Sequence, residues 1–471
     1  MPLQVGLLIC VSVSILLILL IITASVGDSV FSISAVPLQV YSFLLFGLSF
    51  VFLCILLYKT KTYIPSIFLF IFFAAVPMVG YASYEIFIEL HGNFFGKQLS
   101  FDYPIFVWSV GIAVFFAGVL LAHFFPSVPK NRLKVIWNVR RLRIFLWLCL
   151  GAAAIATIVV IAKIGYVPIL QAGIDEVRRN FELIAGRFTA KLSRLFVVAS
   201  FFSALLFFLS KRKKLYLVLC TSAMLGTTFY GERLYAFYGI IFFSLVYLKF
   251  HRPTKRQVTL YAGIGSCLLA LLTLVAEHRA DRIEKGITLK ESIISPLFTE
   301  FSYYAFVVDD ISGSQQYLKE DIFLGAIALL FPRQIWAVFD IDKDYMIQKY
   351  SAIDYFGKIF NDPNGTRITP IGEAYAGYGI LWGVCLQLSL FGFIFGLLEK
   401  MYLRLHKLDA RLCLVCFLIV VLMWLPINTL SAIIEPALFF GWILLALYVF
   451  GTKRVLVEKM SKSLSQKEVH P

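Results

Sequence analysis

The residues of this chain best suited to chemistry are a set of arginines and one glutamate, placed where apolar sequence meets polar sequence. Arg367 and Glu373 belong to Arg367-Ile-Thr-Pro-Ile-Gly-Glu-Ala-Tyr-Ala-Gly-Tyr-Gly379, where a long polar stretch re-enters apolar sequence. Arg233 follows Glu232 inside another apolar run, Arg279 follows His278, and Arg178, Arg179 and Arg187 lie in an earlier polar segment. A guanidinium stays charged and grips phosphate oxygens bidentately, so arginines converging from several loops suit a polyanion such as a lipid-linked diphosphate. If a sugar is transferred off such a carrier, charge gathers on the departing diphosphate, and arginines aimed at it lower the barrier without a metal. The acceptor hydroxyl then needs a base, and Glu373, after Pro370 and Gly372 at a helix start, is the candidate, with Tyr375 beside it. A glutamate is also favoured at that position by the helix dipole alone.

Other polar groups carry weaker signals. His278 could act as acid, base or diphosphate donor, or be an ordinary surface histidine. Asp340-Ile-Asp-Lys-Asp344 has the alternation of a divalent-cation turn, but Tyr345 and Ser351 stand where a calcium loop requires glycine and glutamate, so a solvated acidic turn is expected. Cys413 and Cys416 have redox or metal spacing within an apolar run that offers no further ligands. Neither a metal nor a cofactor is expected. Trp336, Tyr345, Tyr350 and Tyr355 suit sugar stacking and membrane-interface anchoring equally.

The elements that must position these residues are membrane spans. Hydrophobic residues make up 60% of the chain, charged ones 15%, and the mean hydropathy is +0.84, values outside those of soluble domains. Apolar runs at 3–26, 36–58, 63–84, 104–125, 144–162, 192–210, 215–231, 234–248, 258–276, 379–398, 412–426 and 434–451 give about twelve spans of bilayer-crossing length. The basic clusters Lys130 to Arg143, Lys211 to Lys214, Lys249 to Arg256, Lys400 to Arg411 and the tail from Lys453 then fall on one side, which the positive-inside rule makes cytoplasmic, with both termini. The net charge of +15 is therefore a topology signal, and no soluble basic domain offers a nucleic-acid footprint. The first run lacks a basic leader and reads as a retained span. All cysteines fall inside spans, which excludes a disulfide framework outside.

Residues 1–276 thus hold the first nine spans with an outside loop at 163–191, 277–376 form a large outside loop, 377–452 hold the last three spans, and 453–471 form a basic cytoplasmic tail. The apolar patch 322–339 inside the large loop is interrupted by Pro332 and Arg333 and reads as an interfacial or re-entrant helix. The cations of 163–191 lie on the side that should be poor in them, which suits either lipid headgroups or an anion site. Glu232 and Arg233 split a run from Leu215 to Leu248 that is too long for one span, so two short helices must meet there. An arginine at mid-membrane depth costs about 2.5–3.5 kcal/mol and then marks a cavity, whereas one at a surface turn costs little. Gly372, Ala376, Gly379 and Gly383 form a small-residue stripe for close packing along a continuous helix.

In span layout, in the Gly231-Glu-Arg-Leu234 segment, and above all in Thr369-Pro-Ile-Gly-Glu-Ala-Tyr-Ala-Gly-Tyr-Gly379 followed by an apolar helix, the chain resembles the bacterial O-antigen and oligosaccharide repeat-unit polymerases of the Wzy type. The resemblance implies an all-α integral protein of the bacterial inner membrane, a GT-C-like bundle with a large helical periplasmic loop. It implies an inverting, metal-independent glycosyltransferase that moves a growing glycan from one undecaprenyl diphosphate onto a new lipid-linked repeat unit, assisted by a chain-length regulator. Arg233, Arg279 and Arg367 would contact diphosphate and Glu373 would face the acceptor. An Arg-x10-Gly loop motif of some members is replaced by Arg179-x6-Gly186 and Arg279-x6-Gly286. An O-antigen ligase would carry a histidine near Glu373, which this chain lacks. A flippase or secondary transporter would show two repeated halves, which this chain does not.

Overall fold

The structure is a computed structural model that describes residues 38–60, 65–91, 100–125, 133–165, 192–228, 233–250, 289–314, 368–405, 410–423 and 452–456, with isolated positions at 186, 189, 317, 338, 408 and 441. Its helices are α1 (Leu38–Thr60), α2 (Pro65–His91), α3 (Asp102–Phe124), α4 (Val139–Ile164), α5 (Leu195–Leu209), α6 (Lys213–Thr228), α7 (Arg233–Phe250), α8 (Leu289–Ser314), α9 (Thr369–Tyr378), α10 (Leu386–Arg404) and α11 (Ala410–Leu422). A π-helical turn, Gly379–Cys385, joins α9 to α10, and two short strands, β1 (Leu133–Trp137) and β2 (Thr452–Leu456), pair antiparallel. Among the described residues α1, α3, α4 and the stretch Thr369–Arg404 are long and apolar enough to cross a membrane. Phe43, Phe50, Phe68, Ile71, Trp147, Ile155, Ile158 and Trp382 all face outward, an arrangement that lipid stabilises and water would not. The protein is thus a helical integral membrane protein, to which β1 and β2 add a small strand pair that hydropathy does not foresee. The expected spans 3–26, 258–276 and 434–451 and the patch 322–339 lie outside the described residues, position 338 and position 441 apart.

The chain divides into two compact units. The first, Met1–Pro126, Ile294–Arg404 and Leu422–Leu438, is built around α3, most of whose residues are buried. Gly392 and Gly396 of α10 set their Cα atoms against the backbone of Phe115 and Val119, and Gly118 of α3 meets Ser389 in the same way, so the two helix backbones touch through glycines. Gln39 bonds Asp102 at one end of α1 and Lys59 reaches His123 at the other, so α1 runs parallel to α3. The order Phe115–Gly392, Val119–Gly396, His123–Glu399 makes α10 parallel too. Helix α2 runs the other way, with Ser66 at the Glu399 end and Tyr81 against Phe101. Pro77 inside α2 cannot bond the carbonyl of Phe73, and the indole Nε1 of Trp108 donates to that carbonyl instead at 3.0 Å.

At the far end of this unit Glu399, fully buried, accepts from the Ser66 amide at 2.8 Å, from the Ser66 hydroxyl and from His123 Nε2 at 3.1 Å. The carboxylate thereby caps the N-terminal turn of α2. Lys59 and Lys400 both donate to the carbonyl of His123 and Lys400 also to those of Ala122 and Phe125, supplying partners for the carbonyls that end α3.

The second unit, Ser127–Ile293, Leu405–Val421 and Phe439–Pro471, packs α5 between α4 and α6, with α7 against both α5 and α6. Asn138 caps α4 by accepting from the Arg141 amide at 3.3 Å, and Gly165, at φ +86°, ends it. Phe201 of α5 meets Phe242 of α7 and Phe417 of α11 at 4.7 and 5.6 Å between ring centroids. The long run Leu215 to Leu248 falls on the two helices α6 and α7, and residues 229–232 between them, Glu232 included, lie outside the described residues. The register from Leu133↔Leu456 to Trp137↔Thr452 brings the basic stretch after α3 beside the start of the basic C-terminal tail.

Candidate functional site

Helix α9 carries the strongest candidate, Glu373. Its first residue, Thr369, has φ +61°, a left-handed conformation that strains a β-branched residue by about 1–3 kcal/mol. Pro370 then presets helical φ for the first turn, and Thr369 Oγ1 accepts from the Gly372 amide at 3.4 Å. From Thr369 to Gly377 every residue is buried. Glu373 is 4% exposed and Tyr375 fully buried.

The surroundings of α9 explain how it is held. Ile371 fits against Gly111 of α3, and Tyr304 of α8 lies against Gly372 while donating to the carbonyl of Pro104 at 2.7 Å. The Tyr375 hydroxyl bonds that of Tyr103 at 3.2 Å, and the Tyr375 ring stands edge-on to both Tyr103 and Tyr317, at 6.0 Å in each case. Gly379, at φ +73°, ends α9 beside the ring of Tyr317. The chain bends there, because a Cβ on Gly383 would fall 1.8 Å from the carbonyl oxygen of Ala374. The small residues from Gly372 to Gly383 therefore do not form one face of a continuous helix. They permit separate close approaches, to α8, to Tyr317 and to the backbone of α9 itself. The helix also begins at Thr369, ten residues before the expected span start at 379.

Of the residues singled out from sequence, Glu373 and Tyr375 both lie on α9, two residues apart and so on nearly opposite sides of it. Arg233 opens α7 in the second unit. Arg178, Arg179, Arg187, His278, Arg279 and Arg367 lie outside the described residues, as do Asp340 to Asp344. The aromatic and acidic stretch from Phe301 to Asp310, expected as part of the large outside loop, is helical and its Phe301 and Tyr304 are buried against Trp108. Among the described residues no group of histidine, cysteine and carboxylate side chains is arranged to hold a metal. Sequence reasoning misses Tyr103, Tyr304 and Tyr317, and also the Gly392-x3-Gly396 spacing, which is a legible sign of close helix contact.

Comparison with known proteins is consistent with this arrangement. The family model described as O-antigen polysaccharide polymerase Wzy matches residues 8–460. Neither a curated protein nor a solved structure matches the chain. A match that takes in both helical units, α9 and every arginine discussed above shows that the chain belongs to the Wzy family of O-antigen polysaccharide polymerases.

Proposed function

We propose that this membrane polymerase joins oligosaccharide repeat units carried on undecaprenyl diphosphate, at the outer face of the inner membrane, with Glu373 as the base. The acceptor hydroxyl gives its proton to Glu373 while its oxygen bonds the anomeric carbon of the donor glycan. That carbon's bond to the diphosphate oxygen breaks, and the electron pair leaves with undecaprenyl diphosphate. Arg233, Arg279 and Arg367, with Arg178, Arg179, Arg187 and His278 in supporting contacts, neutralise the departing charge, so the reaction is metal-independent, and attack opposite the leaving group makes it inverting. The observation that carries this reading is the burial of Glu373 on a short helix that starts with a strained residue.

Orientation supports it as well. Helices α1, α3 and α10 run parallel and α2 antiparallel, so an odd number of crossings separates α3 from α10, as five spans between them would give. If the lysine-rich end of α3 is cytoplasmic, α9 lies at the periplasmic end and the termini lie inside. A bundle of GT-C type and a chain-length regulator as partner belong to the same proposal.

The test is the glycan pattern of a deletion strain complemented at matched expression with wild type, Glu373→Gln, Arg233→Ala or Arg279→Ala. Wild type should restore the ladder, while each variant should leave a single repeat unit. A full ladder from Glu373→Gln would remove the base from this reading. Polymer accumulating on the lipid carrier would indicate a ligase, and repeat units trapped at the cytoplasmic face a transporter.

A further inference from the structure

The rotation of α9 decides where Glu373 points. Successive residues of an α-helix turn by about 100°, so Glu373 and Tyr375 project to nearly opposite sides. Ile371 and Tyr375 share the side against α3, Gly372 turns toward Tyr304, and the Ala374 carbonyl abuts Gly383. Glu373 takes the remaining side. A side chain reaching roughly 5–6 Å from the helix axis moves by about 2 Å if the helix rotates by about 20°. Misplacement of a reacting group by about 1 Å can cost on the order of a hundredfold in rate, so small rotations matter.

The contacts of Tyr375 oppose such rotation. Its ring is edge-on to Tyr103 and to Tyr317, each at 6.0 Å, and the left-handed turn at Gly379 leaves room for Tyr317. Ring packing tolerates sliding, whereas the 3.2 Å bond between the Tyr375 and Tyr103 hydroxyls has a direction. Tyr103 lies in the first turn of α3, where Gln39 bonds the neighbouring Asp102 at 3.0 Å and Tyr304 donates to the carbonyl of Pro104 at 2.7 Å, so its hydroxyl is carried on a held segment. We infer that Tyr103 is a positioning residue of the polymerase, whose hydroxyl bond to Tyr375 sets the rotation of α9 and thereby aims the Glu373 carboxylate at the acceptor. This inference rests on Glu373 being the base.

The test uses the full-length protein in lipid nanodiscs, with undecaprenyl diphosphate-linked repeat unit extracted from the deletion strain as substrate, and follows single-turnover product formation. Tyr103→Phe keeps the ring and removes the hydroxyl. It should slow the reaction about 3- to 10-fold, the worth of one net hydrogen bond, with the half-saturating substrate concentration within about twofold of wild type. Tyr375→Phe, which removes the other end of the same bond, should slow the reaction equally, and the double variant no more than either single one. Losses that add in the double variant would mean that the two hydroxyls act independently and would overturn the inference, as would wild-type turnover from Tyr103→Phe alone. Wild-type turnover from Glu373→Gln would instead remove the base and the positioning role with it, an outcome distinct from an inactive Glu373→Gln beside a fully active Tyr103→Phe.

Discussion

Glu399 shows how much a single buried carboxylate holds in this protein. It is fully buried, yet it meets the amide and hydroxyl of Ser66 and the ring of His123, joining α2, α3 and α10 at one point. Removing it leaves a helix N-terminus and an imidazole without their acceptor. Glu399→Ala is therefore expected to cost about 3 kcal/mol or more, and Glu399→Gln less, since its amide oxygen still accepts one bond. Thermal unfolding of the detergent-purified protein reports this directly, and equal midpoints for both variants and wild type would refute the role. Nothing in the sequence singles out Glu399, because a glutamate beside Lys400 at a span end reads as an interfacial charge. Glu373 is legible, by contrast, because a carboxylate preceded by Pro370 and Gly372 inside otherwise small and aromatic residues has few solvating neighbours. What the sequence does not convey is which neighbour each of the two sides of α9 meets, since that follows from where α3 and α8 lie.

Helices as units obey hydropathy closely here except where polar and small residues dilute it. The expected spans 36–58, 104–125 and 144–162 correspond to α1, α3 and α4 with ends displaced by only a few residues. Hydropathy leaves α9 in a loop because Thr369, Gly372, Glu373 and Gly377 lower its apparent apolarity, although burial against Gly111, Tyr304 and Tyr103 makes it part of the bundle. Close backbone approach replaces side-chain volume in this region, and the consequence is testable. A Cβ on Gly392 would fall 1.9 Å from the Phe115 carbonyl oxygen, and one on Gly383 1.8 Å from that of Ala374, both backbone atoms that cannot move alone. Gly392→Ala should lower stability by about 1–3 kcal/mol through overpacking, and Gly383→Ala should do the same while displacing α9 and reducing polymer length. Gly151 in α4 is the control, because it is exposed, a Cβ added there would meet nothing within 4 Å, and alanine is tolerated with a gain of up to about 1 kcal/mol from helix propensity. Thermal midpoints of the three variants, read beside their glycan ladders, separate packing from positioning.

For the molecule as a whole the decisive quantity is orientation, since the proposed chemistry needs α9 at the periplasmic end. Two independent features agree with the basic clusters. Helices α1, α3 and α10 run the same way, which fixes the parity of the crossings between them. Strands β1 and β2 pair the segment after α3 with the C-terminal tail, so those two basic stretches share one side. The mechanism then requires that Gly313, exposed near the end of α8, face the periplasm and that Lys213, exposed at the start of α6, face the cytoplasm. In a functional variant without the 8 native cysteines, Gly313→Cys should react with a membrane-impermeant maleimide added to cells with a permeabilised outer membrane, and Lys213→Cys only after the inner membrane is opened. The reverse pattern would put Glu373 on the side where the cytoplasmic clusters were assigned, and polymerisation at the outer face would then require another base. Labelling of both from outside would break the parity argument itself, because Gly313 and Lys213 would then share a side that the count of crossings assigns to opposite faces.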